Sequence, residues 1–445
     1  MIVELRRRPA AVFLLAGYAA LLVAADFIRP LRIPEILHIL AAWHFSWSRM
    51  MSWIAQTPAS APLSYFAQLP VLLIWHDSRF AARLVSLIFA AGSCVVFWNL
   101  LCQLPLKRPA FALAVFMLLP AHFQSATEAR AFEQAFFLTA LQLWLFLRLI
   151  REPAAKPAAL YGGALTLCIY TQPYSILPAF GQFLFLLRFV AGAHERKAVW
   201  MALPATVAPP LLFLPYYAWA QSQTSPNWLH SPSPGELSAF GYVIAALLAI
   251  GFAGGIARTF RRGSRNISKR VFLFSAAGGA VASIAGGEIL WAAPALVLLF
   301  FAALEQIPAR LSQMVPTALA AILILCCLPP DANYLLSRTE NVQKQAAIIA
   351  NQLKGNSCVV FVSQGFSKDL FVLFEPQLER QECLNFFHHR IVLAIHPYVS
   401  ERSRQDAHSY FRGLGFHEIG DVQIGQGEVL TFQQNQLSNT PAIRY

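Results

Sequence analysis

Apolar runs recur along most of the chain, at residues 9–28, 80–103, 109–121, 131–150, 158–172, 173–191, 198–220, 238–258, 271–287, 289–304 and 312–329. Several are shorter than the roughly 20 residues that cross a hydrocarbon core. Residues 158–191 read either as two spans or as one long kinked helix. The pattern predicts about 11 transmembrane helices. Two stretches ahead of the second run break it. Within 36–54, Ile36, Leu40, Trp43, Trp47, Met50, Met51 and Ile54 recur at helical spacing and make one apolar stripe. Its tryptophans suit the headgroup level. Residues 62–75 are too short to span and carry Pro70 inside, which suits an interfacial or re-entrant helix. The first loop is thus predicted to hold interfacial helices over about 35–56 and 62–75.

Past Pro329-Pro330 the pattern changes. Residues 340–353 read as an amphipathic helix, 358–363 and 390–397 as buried strands, 401–413 as a helix and 427–433 as a last strand. The expected fold class is therefore a mainly α-helical polytopic membrane protein with a small C-terminal α/β soluble domain. The expected domains are 1–337 and 338–445.

Composition agrees, at 57% hydrophobic and 13% charged; soluble domains average roughly 25% charged. The net charge of +12 would suit a nucleic-acid binder, but its distribution argues against one. Residues 1–337 hold 24 Lys/Arg and 12 Asp/Glu, whereas 338–445 hold ten of each. The excess follows the short loops that set orientation. With the N-terminus inside, Arg6–Arg8, Lys107/Arg108, the Arg148–Lys156 and Arg188–Lys197 clusters, the Arg258–Arg270 cluster and Arg310 all fall inside. The connections near 172, 221–237 and 287 fall outside and carry no Lys or Arg. The run from Ala10 to Ala25 lacks a cleavage site followed by polar chain and reads as a retained signal anchor. Of seven cysteines, five lie in apolar runs as small hydrophobes; Cys358 and Cys383 could pair in an oxidising space.

The outer basic residues need their own account. Arg83 and Arg130 enter the second and fourth apolar runs from the outer side. Arginine at that depth either snorkels or meets an anion, and a lipid phosphate fits its bidentate fork. Ser125 and Glu128 have the spacing of a capping box. Glu35 is the one carboxylate between Phe27 and His76; it reads either as a helix first-turn acid after Pro34 or as a general base. Glu288 is an outer-edge carboxylate. His38, His44, His76 and His122 share the outer side without metal-ligand spacing, so a divalent metal is possible but not indicated, and the cofactor stays open. No phosphate-binding GxxxxGK[ST], GxSxG or CxxC occurs.

Several short motifs follow one another in order: Pro34-Glu35, Ala61-Pro62-Leu63-Ser64-Tyr65, His76-Asp77-Ser78, Arg83-Leu84-Val85-Ser86, Leu119-Pro120 and Thr127-Glu128-Ala129-Arg130. Together they resemble the GT-C superfamily of polyprenyl-phosphate-sugar-dependent glycosyltransferases, in particular the bacterial relatives of dolichyl-phosphate-mannose protein mannosyltransferases. The resemblance covers roughly residues 25–190, and Gly286–Leu304 looks like a later segment of that family. It implies transfer of a sugar from a polyprenyl-phosphate donor, in the membrane, to a lipid, glycan or protein acceptor at the outer face. It further implies Glu35 and Glu128 as catalytic, Arg83 and Arg130 on the donor phosphate, and Tyr65 and Glu288 as donor or acceptor contacts. A protein partner would meet the C-terminal domain. The family's first-loop Asp is Pro34 here, the first proline of its Pro-Pro-Leu is Ala61, and its late arginine is Glu288. Those departures keep a non-catalytic, partner-binding subunit open. A transporter or flippase is a further alternative, but few ionisable groups lie in the later spans.

Overall fold

The computed structural model describes residues 9–29, 31, 33–43, 46–56, 61–74, 79–104, 106, 109–188, 193–223, 271–277, 279, 293–304, 318, 321–329, 331, 342–353, 357–362, 377–380, 390–395, 401–413, 416–424 and 427–434. Expectations for 224–270, 280–292 and 305–317, including Glu288, lie outside these residues, as does Cys383.

The apolar runs become helices: α1 (Pro9–Ile28), α2 (Ile33–Trp43), α3 (Trp47–Gln56), α4 (Leu63–Ile74), α5 (Arg79–Leu101), α6 (Pro109–Met117), α7 (Pro120–Ala126), α8 (Ala131–Arg151), α9 (Ala155–Thr171), α10 (Ile176–Arg188), α11 (Ala193–Gln223) and α12 (Ala293–Leu304). Among the described residues four helices are long and apolar enough to cross a membrane, α1, α5, α8 and α11, or five if α6 and α7 form one broken span. The chain is a multi-pass membrane protein. The single stripe expected over 36–54 is two helices, α2 and α3, parted near Ser46. The 158–191 stretch is also two helices, α9 and α10, because Pro173 after Gln172 turns the backbone through a 3-10 turn.

The run 109–121 differs from expectation. It is not one straight span: α6 stops at Met117, and α7 leaves at 58° after Pro120 takes the first helical position. The helices form two compact units with parts of the rest of the chain. One comprises Met1–Ile28 and Ala41–Leu336, the other Arg29–Leu40 and Ser337–Tyr445.

In the first unit α8 packs on α5 and α9, and α9 packs on α11. α5 and α8 approach closely at Gly92, where a β-carbon would stand 2.8 Å from the Phe137 ring. Stacked Phe97 and Phe116, with ring centres 3.8 Å apart, fill the core between α5 and α6.

The second unit holds α13 (Val342–Gln352), β1 (Ser357–Val362), α14 (Gln377–Arg380), β2 (Arg390–Ile395), α15 (Glu401–Gly413), β3 (Phe416–Ile424) and β4 (Gly427–Gln434). The sheet order is β1-β2-β4-β3, with β1 and β2 parallel and the other pairs antiparallel. Leu393 is in register with Val360 on one side and Leu430 on the other. Phe411 of α15 packs with Phe416 and Phe432 to cover that face. β3 was not foreseen in the sequence. A register shift between Glu418 and Gly420 breaks the two-residue alternation that marks a strand. Cys358, in β1, is disulfide-bonded, and the apolar core of a domain this small supplies limited stability. Cys358→Ser is therefore expected to destabilise this domain by about 2–5 kcal/mol, read as an earlier urea transition of the C-terminal unit under non-reducing conditions. An unchanged midpoint would show that the bond adds nothing.

Candidate functional site

Two ion pairs tie down the residues around the end of α1 and the first loop. In the first unit Asp26 lies in the last turn of α1, and Arg83 lies in the second turn of α5. Asp26 Oδ1 accepts from Arg83 Nη1 at 2.9 Å, with both side chains buried. Arg83 Nη1 also reaches the Asp26 carbonyl at 3.5 Å. In the second unit, Glu35 stands in the first turn of α2, where a carboxylate complements the helix dipole. Arg29 Nη2 donates to Glu35 Oε2 at 3.1 Å, and this pair is buried as well. A single buried charge would be costly; paired and hydrogen-bonded, each is tolerated.

One turn beyond Arg83, Ser86 Oγ donates to the Glu128 carbonyl at 2.5 Å. This fixes the 127–130 segment against α5. Thr127 Oγ1 closes the end of α7 by donating to the Phe123 and Gln124 carbonyls. The capping box expected from Ser125 and Glu128 is not formed. Ser125 lies inside α7 with Oγ donating to the Ala121 carbonyl, and α8 begins later, after Arg130. The Glu128 carboxylate is thus left to face Arg130 at 3.7 Å. The Arg130 guanidinium lies 4.3 Å over the Phe132 ring, with its side chain 37% exposed. Of the two predicted phosphate-binding arginines, Arg130 therefore presents its charge outward and Arg83 is enclosed with Asp26. Tyr65 is buried in α4 and faces Tyr216 of α11, and Gln68 Nε2 joins that helix to the Ala82 carbonyl of α5 at 2.9 Å.

Beneath this segment runs a buried polar chain. Ser93 Oγ donates to Glu133 Oε1 at 2.6 Å. His122 Nε2 stands 3.3 Å from the same oxygen. On its other edge His122 Nδ1 shares a hydrogen bond with the Tyr18 hydroxyl at 2.9 Å. The imidazole is enclosed by the rings of Tyr18, Phe116 and Phe136. It also reaches the Met117 carbonyl freed by the break between α6 and α7, at 3.4 Å. Polar groups from α1, α5, α7 and α8 thus converge inside an apolar bundle. Among the described residues, no three His, Cys, Asp or Glu side chains are placed to hold a metal ion.

By sequence the chain matches no family model and no curated protein. By structure it is similar to ArnT from Cupriavidus metallidurans bound to undecaprenyl phosphate, at TM-score 0.58 and 12% identity, over 94% of this chain and 97% of that one. The apo form of that ArnT aligns at TM-score 0.57 and 12% identity, over 95% and 98%. The chain has the ArnT fold.

The likeness to ArnT takes in the C-terminal third as well as the roughly 25–190 stretch that carries the sequence motifs. Within this ArnT-like fold, three carboxylates stand out that the motif reading passed over: Asp26, Glu133 and Asp331. Each is a solitary acid in or beside an apolar run, which is a signal of function in a membrane protein.

Proposed function

We propose that this chain is an integral-membrane glycosyltransferase that moves a sugar from a polyprenyl-phosphate donor to a lipid, glycan or protein acceptor at the outer face of the membrane. The observation that carries this reading is the ArnT fold over nearly the whole chain, shared with a structure that holds undecaprenyl phosphate. The geometry around Arg130 supports it: a guanidinium presented outward beside Glu128 can meet a phosphate as it leaves with growing charge. The setting is a bacterial plasma membrane, N-terminus inside and C-terminal domain outside, as the loop charges favour. The disulfide at Cys358 fits an oxidising outer space.

The resemblance gives the base to Glu35, but that carboxylate is held by Arg29. In this proposal the pair fixes the turn into α2, and the proton is taken elsewhere. Glu35→Gln leaves a buried guanidinium without its counter-charge, so loss of folded protein is expected from it. Arg29→Met with Glu35→Leu removes both charges and is expected to keep transfer within a few-fold of wild type. A folded but inactive double variant would return the base to Glu35.

The primary test is transfer by purified protein from radiolabelled undecaprenyl-phosphate pentoses and hexoses. Turnover supports the proposal. Donor binding without turnover would favour the non-catalytic reading, which gains support from Pro34 in place of the family's Asp and from the engagement of Arg83 by Asp26. Absence of both binding and turnover would favour transport.

A further inference from the structure

Asp331 differs from every other carboxylate described above. Asp26, Glu35, Glu128 and Glu133 each face a guanidinium, an imidazole or a hydroxyl. Asp331 is 5% exposed, and among the described residues neither carboxylate oxygen has a hydrogen-bond partner. It lies one turn after Cys327, just past the last apolar run at 312–329. Among the described residues the groups facing it are the Gln124 amide on α7, the Tyr18 phenol on α1 and the Cys327 thiol on its own helical stretch. Gln124 favours its charged form, but burial outweighs that and pushes the carboxyl up to about 8.

As a carboxylate such a group costs stability, because burial strips its hydration and no counter-charge among the described residues faces it. What it offers is a proton acceptor whose strength suits work near neutral pH. Its position makes that useful. Gln124 precedes Glu128 by one turn on the segment that ends at Arg130, so Asp331 flanks the stretch assigned above to the donor phosphate.

Resting on the transferase reading, we propose that Asp331 is the general base of the transfer. The acceptor hydroxyl gives its proton to an Asp331 carboxylate oxygen while its oxygen bonds to the anomeric carbon. The bond from that carbon to the phosphate oxygen breaks, its electron pair leaves with undecaprenyl phosphate, and the proton passes to solvent once product departs. The Asp331 oxygens are covered, so the acceptor must displace that cover to reach them. The same cover keeps water from competing with the acceptor.

The test is the pH dependence of kcat for full-length protein in lipid nanodiscs, using the undecaprenyl-phosphate sugar that the panel shows to be transferred. The wild type should gain about tenfold in kcat per pH unit below about 8 and level off above it. Asp331→Asn should lower kcat about a hundredfold or more, abolish that limb and leave the donor KM unchanged. Asp331→Glu should recover part of the rate and shift the limb. Asparagine matches the buried neutral acid in size, so the variant is expected to fold. Because folding holds Asp331 protonated, its contribution to stability is full below its ordinary 3.8 and is lost as pH rises through about 8. That decline should vanish in Asp331→Asn, as read by thermal unfolding. A wild-type rate and an intact limb in Asp331→Asn overturn the assignment and leave the transferase standing. Should the asparagine variant not fold, an unmoved limb in Asp331→Glu overturns it equally. A wild type that transfers nothing from the panel overturns both.

Discussion

Arg83→Met is expected to destabilise the membrane unit by about 3–5 kcal/mol, because it takes the paired guanidinium away from the buried Asp26 carboxylate. Asp26→Leu should cost a similar amount for the mirror-image reason, with the guanidinium left behind. The informative experiment joins the two. Replacing a buried ion pair by apolar groups of like size is often neutral or stabilising, so Asp26→Leu with Arg83→Met should recover most of the loss. Thermal unfolding in a fixed detergent across the four proteins gives the coupling directly. Additive losses would show that each charge is held mainly by other partners. Transfer activity then separates structure from chemistry. A double variant that is stable yet inactive would make Arg83 a functional phosphate ligand, and a stable, active one would make the pair an internal strut.

That pair also shows what a single sequence conveys. Asp26 and Arg83 are 57 residues apart, and neither position names the other. Arg83 was visible as a charge entering an apolar run, whereas Asp26 was masked inside the last turn of one. Local patterns were easier to read. The apolar run at 9–28 is α1, that at 131–150 is α8 within one residue, and the helix at 401–413 has the bounds read for it. These elements are set by periodicity and composition, which act over a few residues. Three features depend on something less local. The break between α6 and α7 falls inside a continuous apolar stretch, where Pro120 at a helix start was the one available sign. β3 is hidden by the register shift at Glu418 and Gly420. The chain from Ser93 through Glu133 and His122 to Tyr18 joins four helices and exists only once they pack. Of the named site residues, Glu128 and Arg130 were within reach of one another in sequence and meet in the fold. Arg83 and Glu35 were legible as charges, but their partners were not.

Arg130→Ala is expected to lower transfer about a hundred- to a thousandfold, the range for removing one preorganised donor to a developing oxyanion. The size of the effect follows from what Arg130 is free to do. Its side chain is partly exposed, it rests on the Phe132 ring, and the Glu128 carboxylate at 3.7 Å orients the guanidinium without enclosing it. Removing it takes one partner from the Glu128 side chain, which is 12% exposed, so a modest fall in thermal stability, of about 1–2 kcal/mol, is expected beside the loss of rate. Arg130→Lys keeps the charge but loses the planar fork, so it should recover part of the rate only. Glu128→Gln should cost less than Arg130→Ala, because it loosens the arginine and leaves it in place. Undecaprenyl phosphate binding by the same proteins tells ground-state from transition-state contact. A fall in kcat with little change in affinity means that Arg130 acts on the charge that develops as the phosphate leaves, and a fall in affinity alone means that it only holds the donor. Full activity in Arg130→Ala would remove the phosphate from this segment.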